Sequence, residues 1–258
     1  MYSLRSVSIG YEHEGKAVGT NLSAEMKRGE MTCLIGPNGA GKSTLLRTLA
    51  GFQPPLSGEV MVENKCLKEY SAQELSKMVS VVLTDNNHIK HLSVYDAVSM
   101  GRSPYTGFWG KLNVQDKKII DESIETVGMS AFKDRMMETL SDGERQKVMI
   151  AKALAQDTLV ILLDEPTSFL YYKDKIDMMS LLRRLAHDKG KSILLSTHEI
   201  DIALEVADKI WYLSEGQLIT GSPQELCDNK INELSYEKIV DCIDAINQHL
   251  YVCTTNKC

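Results

Sequence analysis

Residues 31–44 read MTCLIGPNGAGKST, and this stretch decides the fold. Residues 31–35 form a continuous apolar run of the length of a buried strand. The run feeds directly into Gly36-Pro37-Asn38-Gly39-Ala40-Gly41-Lys42-Ser43-Thr44, which satisfies the G-x4-G-K-S pattern of a phosphate-binding loop. The glycines let backbone N–H groups wrap a phosphate, and the N-terminus of the following helix adds a favourable field. Leu45, Leu46 and Leu49 predict that helix, which stops at Gly51. Strand, glycine loop and helix are thus in the required order, with Lys42 placed to neutralise β/γ-phosphate oxygens and the Ser43 hydroxyl placed to ligate Mg2+.

Outward from this unit, residues 2–11 alternate as a half-buried strand and residues 22–26 give a second short candidate. Residues 59–63 and 79–83 read as strands, and Ser71-Ala72-Gln73-Glu74 as a capping-box start for a short helix. From about 86 to 156 no strand pattern is present. Residues 94–100, 114–127 and 144–155 are predicted helices, with Ile120, Ile124 and Val127 on one face. This reads as a helical subdomain inserted in an α/β core. Strands at 159–163, 192–196 and 209–213 then alternate with helices at 173–186 and 200–207. Continuous apolar strands between helices imply a mostly parallel sheet covered on both faces. The expected organisation is one domain over 1–222 and a C-terminal helical extension over 223–258, helical around 236–247.

Two further places carry chemistry. The strand at 160–163 ends in Asp164-Glu165, and adjacent carboxylates at a buried strand end suit a cation or a reaction. With a phosphate loop upstream, Asp164 fits as the Mg2+-side carboxylate and Glu165 as the base that orients or deprotonates an attacking water. His198 follows the strand at 192–196, where a parallel neighbour delivers it to the same sheet edge; there it fits as a γ-phosphate contact.

The ordered set of Tyr11, GPNGAGKST at 36–44, LSDGERQ at 140–146, VILLDEPTS at 160–168 and STH at 196–198 resembles an ATP-binding cassette (ABC) ATPase. The resemblance covers about residues 2–222. It implies a P-loop NTPase core with an N-terminal antiparallel β subdomain, and ATP and Mg2+ as cofactors. It also implies a head-to-tail dimer with a second copy, in which Ser141 and Gly143 bind the γ-phosphate of the opposite subunit's ATP while Tyr11 stacks on adenine. Leu92-Ser93-Val94 leading to Met100-Gly101-Arg102-Ser103-Pro104-Tyr105 is similar to cassettes of bacterial iron-siderophore, haem and cobalamin importers. That likeness implies transmembrane permease subunits as partners, met by the loop at 102–110, and a substrate-binding protein indirectly.

The chain departs from the family at several positions. Thr84 stands where a glutamine usually faces Mg2+ and the attacking water, and a water bridge or Asp85 could substitute. Tyr171 replaces an aspartate that helps join two cassettes, exchanging a charged acceptor for a bulky ring. In the signature, Asp142 stands where glycine is usual and Glu144 where glutamine is usual. Asp142 adds negative charge close to the partner's triphosphate, which predicts a slower or weaker closed dimer.

The net charge of −6, with acids and bases interspersed, argues against a nucleic-acid surface. Arg5 and Glu12 interrupt any signal pattern, and no apolar run approaches the ~20 residues of a membrane helix. The expected location is cytoplasmic, peripheral on the inner face of the cell membrane. Six cysteines without a C-x-x-C pair indicate neither a zinc site nor a disulfide framework. The expected function is the ATP-hydrolysing subunit of an importer. The alternatives are a soluble ABC scaffold for assembly or repair, or a cassette that binds ATP but whose hydrolysis is impaired by Tyr171 and Thr84.

Overall fold

The computed structural model describes residues 2–11, 16–83, 91–107 and 110–227. Its centre is the strand β3 (Met31–Ile35), buried at all five positions. Successive side chains of a strand point to opposite faces. Met31, Cys33 and Ile35 accordingly enter one hydrophobic cluster and Leu34 the other. β3 therefore needs cover on both sides, which is why its apolar run is continuous rather than alternating.

A four-stranded antiparallel sheet lies on the Leu34 side. In chain order it is built from β1 (Tyr2–Tyr11), β2 (Lys16–Met26), β4 (Ser57–Val62) and β5 (Lys65–Cys66), arranged β2-β1-β4-β5. The helix α1 (Lys42–Leu49) shares this cluster through Leu45, Leu46 and Leu49. β2 is longer than residues 22–26 suggest. Its first half is mostly exposed and mixes polar with small and apolar residues, so no clean alternation marks it, yet it pairs with β1 out to Tyr11 opposite Lys16.

After the short helix α2 (Ala72–Leu75), capped by Ser71 and Glu74 as expected, the chain enters β6 (Val79–Val82). Three helices follow: α3 (Val94–Ser99), α4 (Val114–Thr126) and α5 (Asp142–Ala155). Together they form the inserted helical subdomain. Ile120, Ile124 and Val127 are buried in the cluster on the Met31 side of the sheet. An internal ion pair ties the insertion together. The Arg102 Nε donates to Asp116 Oδ1 at 2.9 Å and its Nη1 donates to the Ala155 carbonyl at 2.8 Å, with both charged side chains buried. Tyr105 lies over the same guanidinium at 4.0 Å, so the segment that begins the loop at 102–110 is anchored.

The second half alternates β7 (Val160–Leu163), α6 (Tyr172–Lys189), β8 (Ser192–Ser196), α7 (Ile200–Val206), β9 (Lys209–Ser214), β10 (Gln217–Gly221) and α8 (Pro223–Cys227). The six-stranded sheet runs β10-β9-β3-β8-β7-β6, parallel except for the edge strand β10. The chain is therefore α/β, with a P-loop NTPase core, an N-terminal antiparallel β subdomain and an inserted helical subdomain. Thr84, Asp85 and the predicted helix at 236–247 lie outside the described residues. Among the described residues, no helix is long and apolar enough to cross a membrane.

Candidate nucleotide site

β3, β8 and β7 are adjacent and parallel, so their C-terminal ends open on one edge, where α/β sheets bind ligands. Each delivers a sequence-predicted group there. β3 leads into the loop at 36–44, β7 into Asp164 and Glu165, and β8 into Thr197 and His198.

The loop is held against β9. A Cβ on Gly36 would stand 2.0 Å from the Leu213 carbonyl oxygen, and one on Gly41, at φ +102°, would stand 2.5 Å from Val18 Cγ1. Only glycine fits either place. α1 begins at Lys42 with Gly41 as its N-cap and no side-chain cap, leaving its first-turn N–H groups directed at the loop. Buried Lys42 donates from Nζ to the carbonyls of Gly36 at 2.7 Å and Pro37 at 3.0 Å. Burial pulls its pKa below the usual lysine value, while Glu165 and Asp164 pull the other way.

Ser43 Oγ donates to Asp164 Oδ1 at 3.2 Å. The same carboxylate oxygen accepts from Ser196 Oγ at 2.7 Å, and Ser196 Oγ in turn accepts from the backbone N–H of Glu165 at 2.9 Å. Ser196 therefore holds both acids in position. Its hydroxyl is fully buried at the end of β8, and reading the sequence for motifs gives it no such role. Glu165 sits at φ +49°, a region that non-glycine residues enter at a cost, and functional sites concentrate such positions. Its Oε2 lies 3.2 Å from His198 Nε2. The Ser43 and Asp164 oxygens converge and are hard donors, as Mg2+ requires, so these residues fit that ion.

Tyr11 ends β1 half-exposed, with its hydroxyl 3.3 Å from Thr44 Oγ1. It borders a depression of about 690 Å3, lined also by Lys16, Pro37, Asn38, Ala40 and Gly216, within the size range of small-molecule sites. Tyr11, the loop, Asp164, Glu165 and His198 are thus brought to one region.

Ser141 and Gly143 are set apart, at the start of α5. Ser141 is the N-cap of a complete capping box. Its Oγ accepts from the Glu144 N–H at 3.3 Å, and the Glu144 carboxylate accepts from the Ser141 backbone N–H at 2.8 Å and hydroxyl at 2.9 Å. These bonds, led by that from the Ser141 backbone, hold the Glu144 carboxyl below the usual range. Asp142 is not an uncompensated charge: its Oδ1 accepts from Arg145 Nη1 at 2.8 Å. Tyr171 is the N-cap of α6 and makes no side-chain cap. An aspartate there could cap that helix, which a phenol does not do.

A family model described as ABC transporter matches residues 20–168. The chain belongs to the ABC transporter family. This makes it a cassette ATPase. It is 42% identical over 236 residues to an uncharacterized ABC transporter ATP-binding protein of Methanocaldococcus jannaschii, covering 91% of this chain and 81% of that one. It is 34% identical to the iron(3+)-hydroxamate import ATP-binding protein of Bacillus subtilis, covering 85% and 81%. A dimeric structure of a bacterial ABC transporter cassette matches with a TM-score of 0.75 at 28% identity, covering 86% of this chain and 99% of that one.

Proposed function

We propose that this cassette is the ATP-binding and ATP-hydrolysing subunit of an importer for an iron-siderophore, haem or cobalamin-type compound. The observation that carries the chemistry is the convergence of Ser43, Asp164, Glu165 and His198 at the mouth of the phosphate loop. The kind of cargo is supported by relatives named for siderophore and iron-hydroxamate import.

In this reading the uncapped N-terminus of α1 and the loop amides hold the phosphates. Lys42 leaves the carbonyls of Gly36 and Pro37 for the β/γ oxygens. Ser43 and Asp164 would hold Mg2+, which supplies charge neutralisation on those oxygens. Glu165 takes a proton from the attacking water as its oxygen bonds the γ-phosphorus and the bond to the β-phosphate oxygen breaks, giving ADP and phosphate. His198, beside Glu165, orients that carboxylate and contacts the γ-phosphate. Tyr11 stacks on adenine.

A second copy supplies Ser141 and Gly143, so the complete site belongs to two chains. Permease subunits hold the pair at the inner face of the membrane, and binding-driven closure does the mechanical work. Replacing Glu165 by Gln tests the assignment: ATP binding is kept and turnover is lost, whereas unchanged turnover removes Glu165 from its role.

A further inference from the structure

His198 stands on a short turn between β8 and α7, and the residues on either side of it are fastened in different ways. Thr197 is buried, with its N–H donating to the Leu34 carbonyl of β3 at 3.1 Å and its Oγ1 accepting from the Glu199 N–H at 3.0 Å. Glu199 is the N-cap residue of α7, yet its side chain caps nothing there. Its carboxylate crosses instead to the first turn of α6, where Oε1 accepts from Lys175 Nζ. Residues 171–174, 176 and 177 are exposed, whereas Lys175 is half-buried.

Two segments are therefore linked at two places. One runs on from Glu165 to Lys175, and the other is His198-Glu199. Glu165 Oε2 lies 3.2 Å from His198 Nε2, and Lys175 holds the neighbouring Glu199. The first segment is itself pinned. Ser168 donates from its N–H at 3.1 Å and its hydroxyl at 2.9 Å to the Glu165 carbonyl, and the Lys175 N–H donates to the Tyr171 carbonyl at 3.0 Å. The His198 side chain is 47% exposed, so packing alone does not fix its ring, and the ring follows the backbone on which it stands. An ion pair this accessible adds little to stability, but a catalytic group displaced by about 1 Å can lose about 10²-fold in rate.

We propose that Lys175 is a positioning residue of the ATPase site, holding Glu199 so that the imidazole of His198 meets Glu165 and the γ-phosphate. This inference rests on the role that the proposed function gives His198.

The test is ATP hydrolysis by the full chain, followed as phosphate released from labelled Mg-ATP, for Lys175→Met, Lys175→Arg, Glu199→Gln, His198→Ala and the combination of Lys175→Met with His198→Ala. Lys175→Met is expected to lower kcat about tenfold with KM kept within about twofold, at an unchanged melting temperature. Glu199→Gln, which removes the charge at nearly constant volume, gives the same loss from the other side of the pair. Lys175→Arg, which keeps a cation of similar reach, restores most of the rate. Added to His198→Ala, Lys175→Met costs nothing more, because its effect passes through the ring. Wild-type kcat in Lys175→Met and Glu199→Gln, no rescue by arginine, or a further tenfold loss in the His198→Ala background overturns the proposal. Unchanged turnover in His198→Ala strikes the role that the proposed function gives His198, and this inference falls with it.

Discussion

Two helices of this chain begin at the motifs that the proposed function assigns to nucleotide, and they begin in opposite ways. α1 starts at Gly41 and Lys42 with no side chain capping its first turn, inside a loop pressed against β9. α5 starts at Ser141 with a full capping box, which bonds the Ser141 and Glu144 N–H groups close by. The α1 terminus has no side-chain cap, as the proposed phosphate site within one chain requires. At the α5 terminus the capping box already engages the Ser141 hydroxyl and the Glu144 N–H, which fits the proposal that this motif meets nucleotide only when a second copy closes.

The sharpest way to break this contrast is on the α1 side, at the acids it faces. Glu165→Gln should lower turnover by about 10²–10⁴-fold while equilibrium binding of ATP persists, read by single-turnover kinetics and a fluorescent nucleotide. Next in size is the frame that carries α5. Arg102→Met leaves Asp116 a buried carboxylate without its cation and should cost about 3 kcal/mol in urea unfolding at neutral pH. The Asn113 backbone N–H, opposed by burial and aided by Arg102, holds the Asp116 carboxyl below the usual range. Its contribution is thus present above about pH 4 and lost as pH falls through the lower folded value, so the gap between wild type and variant should narrow in acid.

Lys42→Ala should weaken ATP binding to the monomer about 30-fold, measured by titration calorimetry. The smallest effect belongs to the signature. Ser141→Ala removes the α5 cap and should cost about 1 kcal/mol of stability, yet leave ATP binding to the dilute monomer unchanged. A Ser141 variant that lost monomer binding as Lys42→Ala does would erase the distinction between the two helix starts.

Much of this was legible in the residues, because motifs on single segments carry their own backbone geometry. The strands at 31–35 and 192–196 fall where their apolar runs predict, and the acids at 164–165 reach the loop because parallel strands must open on one edge. The features that the sequence leaves hidden each have a physical reason. β10 escapes because its residues are largely half-buried on an edge, without clean alternation. Ser196 escapes because a single hydroxyl in an apolar strand looks like packing until Asp164 and the Glu165 N–H are found beside it. The Asp142 charge was legible, but its pairing with Arg145 depends on the rotamers of one helical turn. Tyr171 reads as a lost aspartate, and only the start of α6 shows that its position is also the N-cap of a helix.

The proposed site is complete only with two chains, so specific ATPase activity should depend on protein concentration. The purified chain is assayed with saturating Mg-ATP across the range in which sedimentation shows it passing from monomer to dimer. Activity per chain should rise with the dimer fraction and level off when association is complete. Constant activity per chain at concentrations where the chain is monomeric would contradict it.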